Sequence, residues 1–192
     1  MLQRNWAAQH WVPLVTLAAW IFALLPVLAP VLITLGVVAP AEHIYDLYSL
    51  VCHQWAHRSF FIFGAQPTYE LSEIAGLIPG ADPRGFLGSP ETGYKLAYCE
   101  RDLAIYLAIA LTGTVYGLQR SRISALSPMG FALLLLPIAF DGFTQIFGWR
   151  ESTPLLRILT GICFGLSMVW FVYPRLDALA ARRQSLLVGQ LS

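Results

Sequence analysis

Long apolar runs alternate with shorter polar stretches along the chain, and the longest run comes first. From Trp11 to Val38 almost every residue is apolar, well beyond the roughly 20 residues that cross a bilayer as a helix. Trp11 stands where an interfacial aromatic side chain belongs. Pro13 suits a first turn, whereas Pro26 and Pro30 each remove an internal hydrogen bond, which predicts a kink or an early end in the second half. The triplet Ala39-Pro40-Ala41 has the small-x-small form of a signal cleavage site, but the apolar run exceeds the roughly 7 to 15 residues of a signal core. A retained first spanning helix over 11–38 is expected. Three further spans follow at 98–118, 126–147 and 155–173. The second starts upstream of its apolar stretch Leu103–Leu118, which alone would reach only about 24 Å at helical rise.

The connection 41–97 separates the first two spans. Ile44 to Phe63 reads as an interfacial helix, apolar at Ile44, Leu47, Tyr48, Val51 and Trp55. Gly64 to Tyr94 carries the turn dipeptides Pro79-Gly80 and Asp82-Pro83 and reads as loop. The expected fold is an all-α membrane protein with four transmembrane helices, one interfacial helix and a long loop between helices 1 and 2, forming one domain over 1–192. Composition agrees, with 57% hydrophobic and 12% charged residues against roughly half and a quarter in soluble domains. A net charge of +1 leaves no basic field for nucleic acid. The partners expected are the lipid bilayer and other membrane-protein subunits. Gly113-x-x-x-Gly117 and Gly161-x-x-x-Gly165 give the second and fourth spans small faces for close packing.

Orientation follows from charge. Arg4, Arg120, Arg122, Arg175, Arg182 and Arg183 fall at one end, while the connection carries Glu42, Asp46, Glu70, Glu73, Asp82 and Glu91. The positive-inside rule then places both termini in the cytoplasm, against the competing cations Arg150 and Arg157.

Whichever way up the chain sits, four crossings bring the end of the first span, the start of the second, the end of the third and the start of the fourth to one side. The stretch Cys52-His53-Gln54-Trp55-Ala56-His57-Arg58-Ser59-Phe60 lies there, with Cys99, Asp102, Asp141, Gln145, Arg150, Glu151 and Arg157. Asp102 follows Cys99 by one helical turn, so a thiolate and a carboxylate can share one ion, with Cys52 and His53 or His57 completing a tetrahedral set. Such a shell suits zinc, with Cys52, His53, Cys99 and Asp102 as the preferred ligands. A Cys52–Cys99 disulfide, which an external compartment permits, and two unrelated buried thiols are the rival readings. A carboxylate inside a span needs a partner, and an Asp141–Arg157 ion pair is the simplest one. Gln145 shares the face of Asp141, one turn on. That pair either staples two helices or serves a ligand or a proton. Arg58, His57, Arg150 and Glu151 complete the expected surroundings. Cys163 is read as packing.

Taken together, Cys52-His53-Gln54, Arg58-Ser59-Phe60, Cys99 opening a helix, Asp141-Gly142-x-Thr144-Gln145 and Arg150-Glu151-Ser152-Thr153-x-x-Leu156-Arg157-x-x-Thr160-Gly161 resemble the domain-of-unknown-function 2085 family of small prokaryotic membrane proteins, over roughly Tyr45 to Gly165. The family pattern has Cys-x-x-Cys-Thr-Gly at the second block, where this chain has Cys99-Glu100-Arg101-Asp102. A carboxylate replacing the second thiol of that block still permits a metal but suits soft ions less. The resemblance implies residence in a prokaryotic cell (inner) membrane and an end-on polar site, and it brings no activity with it.

Three function classes follow from these residues. One is a membrane protein with a Cys/His/Asp zinc site and an unassigned reaction. Another is a non-catalytic accessory subunit of a larger complex, electron-transfer complexes included, with Cys52–Cys99 as a disulfide. The third is a transporter or quinone-reactive protein with Asp141 as a proton relay, which four spans without an inverted repeat argue against.

Overall fold

The computed structural model describes residues 6–189, so the sequence-predicted cytoplasmic cation Arg4 lies outside the described residues. Helix α1 runs Trp6–Thr34, α2 Val38–Ser49, α3 Leu71–Leu77, α4 Glu100–Gln119, α5 Pro128–Ile146 and α6 Pro154–Gly189. Segments of four of them, His10–Thr34, Glu100–Gln119, Pro128–Ile146 and Pro154–Arg183, are long and apolar enough to cross a membrane. The fold is that of an all-α membrane protein, to which a small sheet adds little.

The first apolar run does not stay helical to Val38. Gly36 adopts φ 76°, and the amides of Gly36 and Val37 turn back onto the carbonyls of Ile33 and Leu32. This is a Schellman stop, which favours a residue without a Cβ at the left-handed position. Pro26 and Pro30 do not end the helix early, and their cost is recovered by tertiary contacts. A proline leaves the carbonyl four residues earlier without its helical donor. The Phe22 carbonyl accepts the Tyr48 hydroxyl at 2.7 Å, and the Pro26 carbonyl accepts the Ala97 amide at 3.3 Å. In α6, where Pro174 frees the Trp170 carbonyl, the Leu126 amide takes it at 3.3 Å. Each freed carbonyl thus becomes a docking point for another segment. Pro174 also fails to stop α6, which continues beyond the expected end at Tyr173 and presents Asp177 to Trp11, Tyr116 and Arg120 at the end away from the cysteines.

The connection between α1 and α4 differs from expectation. The interfacial helix is α2 and stops at Ser49, so the residues up to Phe63 are not helical apart from a 3-10 turn at Ala56–Arg58. Gln54 explains the stop, because it sits at φ 53° and gives its amide to the carbonyls of Tyr45 at 2.7 Å and Ala97 at 2.8 Å. A helical Gln54 could not bridge those two strands of chain. His53 and His57 therefore do not share a helical face. The expected loop 64–94 also has structure of its own. Strands β1 (Phe61–Ile62), β2 (Gly88–Ser89) and β3 (Gly93–Lys95) form an antiparallel sheet in the order β1-β3-β2. A small core of Ala56, Phe61, Tyr69 and Ile74 lies beside it, and Glu70 and Glu73 form a capping box on α3.

Helix α6 packs against both α4 and α5, and α1 against α4. The two glycine pairs serve different neighbours. A Cβ on Gly165 would meet the Ile105 carbonyl at 2.5 Å and the Ala108 methyl at 2.8 Å, whereas one on Gly113 would meet Thr16 of α1 at 2.9 Å. Because the obstacle at Gly165 is backbone, Gly165→Val is expected to cost about 3 kcal/mol or more of stability through overpacking. Gly142→Val, with nothing within 4 Å of the added Cβ, should cost far less. Equal losses for the two in detergent unfolding curves would disprove the contact.

Candidate metal centre

Cys52 reaches the site from the irregular segment after α2, and Cys99 is the N-cap residue of α4, with no side-chain cap. The Gln54 clamp on Tyr45 and Ala97 ties these two segments together. Beneath it the fully buried Lys95 donates to the Gln54 carbonyl at 2.7 Å and the Arg84 carbonyl at 2.6 Å. The result puts the Cys99 amide 3.2 Å from the Cys52 sulfur, and the Cys99 thiol donates to Asp102 Oδ2 at 3.2 Å. The ligand atoms of Cys52, Cys99 and Asp102 all lie within 4.8 Å of one another, and both cysteines are free thiols. Hydrogen bonding to Cys52, burial and the neighbouring Asp102 charge push the Cys99 thiol well above its ordinary range. A divalent ion reverses that preference, since it binds the thiolate and displaces the proton.

His53 lines the same cavity of about 230 Å³ as Cys52, Cys99 and Asp102 but does not join the converging set. His57 stands further off, and burial together with Arg58 and Arg157 lowers its pKa, against the opposing charge of Glu151.

The expected Asp141–Arg157 pair does not form. Asp141 is completely buried and takes Arg101, Arg150 at 2.5 Å, Ser152 at 3.0 Å and Gln145 at 3.1 Å. Four donors occupy the lone pairs that a carboxylate offers, which disfavours the proton-relay reading. Arg157 instead meets Glu100 at 2.9 Å, a pair in which both members are buried. Glu151 bridges Arg58 at 3.1 Å and Arg157 at 3.6 Å. Rotation of α4 explains the exchange, since adjacent residues on a helix point about 100° apart, and Glu100 and Arg101 consequently serve different helices. Sequence reasoning missed Glu100, Arg101, Ser152 and Lys95. The first two had a signal, being charges in the first turn of a span, where an unpaired ion is costly.

Lys95 supplies a pH test. Burial lowers its pKa from 10.5 to about 8, against smaller opposing effects of Cys52 and Asp82. Below that value both folded and unfolded chains carry the proton and the penalty is complete. From there to 10.5 only the unfolded chain binds this proton, so the contribution of Lys95 to stability should rise with pH across the window, by up to about 3 kcal/mol, while groups with raised pKa such as the Cys99 thiol and the Tyr45 hydroxyl act in the opposite direction. Denaturant unfolding of wild type and Lys95→Met over a pH series should show the rise as the difference between the two. A difference that stays flat or falls across the window would contradict the buried amine.

Fold and site together define a multi-pass helical membrane protein with a thiol and carboxylate pocket at one end of its bundle. The chain belongs to the family described as "predicted membrane protein (DUF2085)", whose model matches residues 91–171. That match takes in Cys99, Asp102 and the Asp141 to Thr160 blocks but not the Cys52-His53-Gln54 block. An uncharacterised protein of Methanocaldococcus jannaschii is 31% identical over 133 residues, 68% of this chain and 67% of its own length. Another from Methanothermobacter thermautotrophicus is 36% identical over 77 residues, 40% of this chain and 68% of its own. No solved structure matches the chain.

Proposed function

We propose that this membrane protein binds a divalent metal, zinc by the chemistry of its donors, through Cys52, Cys99 and Asp102. The observation that carries this reading is the convergence of three ligand atoms within 4.8 Å. Two sulfurs and an oxygen bound to one tetrahedral zinc would lie about 3.5 to 3.8 Å apart, given bond lengths near 2.3 and 2.1 Å. Their residues come from segments that Gln54 clamps together, as a preorganised site requires. Three protein ligands with the fourth position facing a cavity is the arrangement of catalytic zinc, and His53, which lines that cavity, would turn it into a closed structural set if it ligates. Asp141, Arg150, Glu151 and Arg157 hold the surrounding wall in place through their ion pairs, and Gln145 through its hydrogen bonds to Asp141.

In the same proposal the protein resides in a prokaryotic inner membrane, with both termini in the cytoplasm and the metal outside. Support comes from Arg120, Arg122, Arg175, Arg182 and Arg183, all at the opposite end from the cysteines. An accessory-subunit role is the second reading. In that reading α5, whose main neighbour is α6, would offer the outward face of Leu133, Leu136, Phe140 and Phe143, which lipid covers when no partner does. Fixed partners co-purifying after mild solubilisation, and unaffected by Cys99→Ser, would favour it.

Elemental analysis and thiol counting on protein purified without chelators test the metal. The expected result is about one zinc per chain and three reactive thiols, the full cysteine complement, after denaturation with chelator. Metal-free protein with two protected thiols would establish the disulfide instead.

A further inference from the structure

Two of the three converging ligand atoms are sulfurs, and sulfurs can bond to each other as well as to an ion. Those of Cys52 and Cys99 lie within 4.8 Å of one another, and the Cys52 sulfur stands 3.2 Å from the Cys99 amide nitrogen. A disulfide brings its sulfurs to about 2.05 Å. The gap left to close is therefore at most about 2.8 Å, 4.8 less 2.05.

Local structure permits that movement. Cys52 follows the end of α2 at Ser49 and belongs to no helix or strand. Cys99 is an N-cap residue in extended conformation whose side chain caps nothing, so turning its thiol away from Asp102 gives up one hydrogen bond and no helical one. Meanwhile the Gln54 clamp on Tyr45 and Ala97 keeps the two segments together. Both cysteines line the cavity of about 230 Å³, which gives a small reagent access, and Cys99 is the less buried of the two. Cys163, in α6, belongs neither to that lining nor to the converging set.

We infer that Cys52 and Cys99 form a thiol–disulfide exchange site for a small organic disulfide, and that bridge and bound metal are alternative states of the same two sulfurs. The inference deepens the zinc reading and rests on it for the metal half alone. In the first step the Cys99 thiolate attacks one sulfur of the incoming disulfide, which forms a mixed disulfide and releases one organic thiolate. The Cys52 thiolate then attacks the Cys99 sulfur, the Cys52–Cys99 bond forms and the second organic thiolate leaves. The two cysteines lose two electrons and the organic disulfide gains them. With the metal bound, both cysteines enter as thiolates and only Asp102 of the three ligands is left, so the ion is released. Without it, the two cysteine protons pass to the departing thiolates. A bridge across 47 positions constrains the unfolded chain and takes over from the metal as the tie between the two segments. The proposed position outside the cytoplasm is one where such bridges form and persist.

The probe is bis(2-hydroxyethyl) disulfide, added in excess to zinc-loaded and to chelated protein in maltoside detergent, with 2-mercaptoethanol, its reduced form, for reversal. Peptide mapping by mass spectrometry locates bridges and adducts, and elemental analysis after desalting counts zinc. The expected result is a Cys52–Cys99 bridge with loss of about one zinc per bridge, both reversed by 2-mercaptoethanol and added zinc. Cys163→Ser should behave as the wild type, and Cys52→Ser should stop at a mixed disulfide on Cys99. The wild-type map decides the matter even where a variant fails to fold. Zinc and thiols that both survive excess probe overturn this inference and leave the zinc reading standing. Separate adducts on Cys52 and Cys99 with no bridge overturn the exchange site. A reversible bridge in protein that never binds zinc supports the exchange site, and the zinc reading then fails alone.

Discussion

Asp141→Ala is expected to cost about 3 kcal/mol of stability, near the lower end of what removing one partner from a buried ion pair costs. The variant leaves Arg101 and Arg150 without their carboxylate, and it takes one acceptor each from the Ser152 hydroxyl and from the Gln145 amide, which keeps the Asp141 backbone carbonyl at 2.9 Å. Water relieves part of the loss, because the two guanidinium side chains are 21% and 33% exposed. Asp141→Asn should cost less, since it keeps the shape and one acceptor oxygen. Combining Asp141→Ala with Arg101→Met should recover part of the deficit, because one uncompensated charge disappears with its partner. Unfolding in detergent followed by tryptophan fluorescence measures all three. Near-wild-type stability for Asp141→Ala would mean that the carboxylate does not hold α4, α5 and the α5–α6 turn together.

The second large effect concerns the metal itself. Cys99→Ser should weaken zinc binding by more than about a hundredfold, since loss of even an outer-shell partner costs 10- to 100-fold. Cys52→Ser should match it and should additionally take from the Cys99 amide its sulfur acceptor. Cys163→Ser should leave zinc content unchanged, because Cys163 belongs to no converging set among the described residues. Competition with a chromogenic chelator gives the three affinities. Full zinc retention in Cys99→Ser would refute the proposed ligand set.

The architecture was legible because membrane spans depend on local composition. The runs behind α1, α4, α5 and α6 needed only length and apolarity to be seen, and the four-crossing topology then placed Cys52, Cys99, Asp102 and Asp141 at one end without any contact being known. Boundaries at prolines and glycines were harder. Pro26 and Pro30 read as a kink or an early end, and the fourth span was expected to stop at Tyr173, yet the carbonyls freed by Pro26, Pro30 and Pro174 accept Tyr48, Ala97 and Leu126, donors that no local pattern identifies. The extended helix expected to Phe63 fails for a similar reason. Gln54 leaves helical geometry to reach two carbonyls, one of which is far along the chain.

By itself, then, the sequence determined a four-span helical membrane protein, its family, and the end of the bundle where its cysteines and charges gather. Hydrophobicity and spacing act along the chain and can be read there. Only the tertiary structure decided that Asp141 pairs with Arg101 and Arg150 while Arg157 pairs with Glu100. Only it brought two sulfurs and a carboxylate together without His53. Those outcomes depend on helix rotation and on carbonyls freed by proline, which set directions in space rather than positions in sequence.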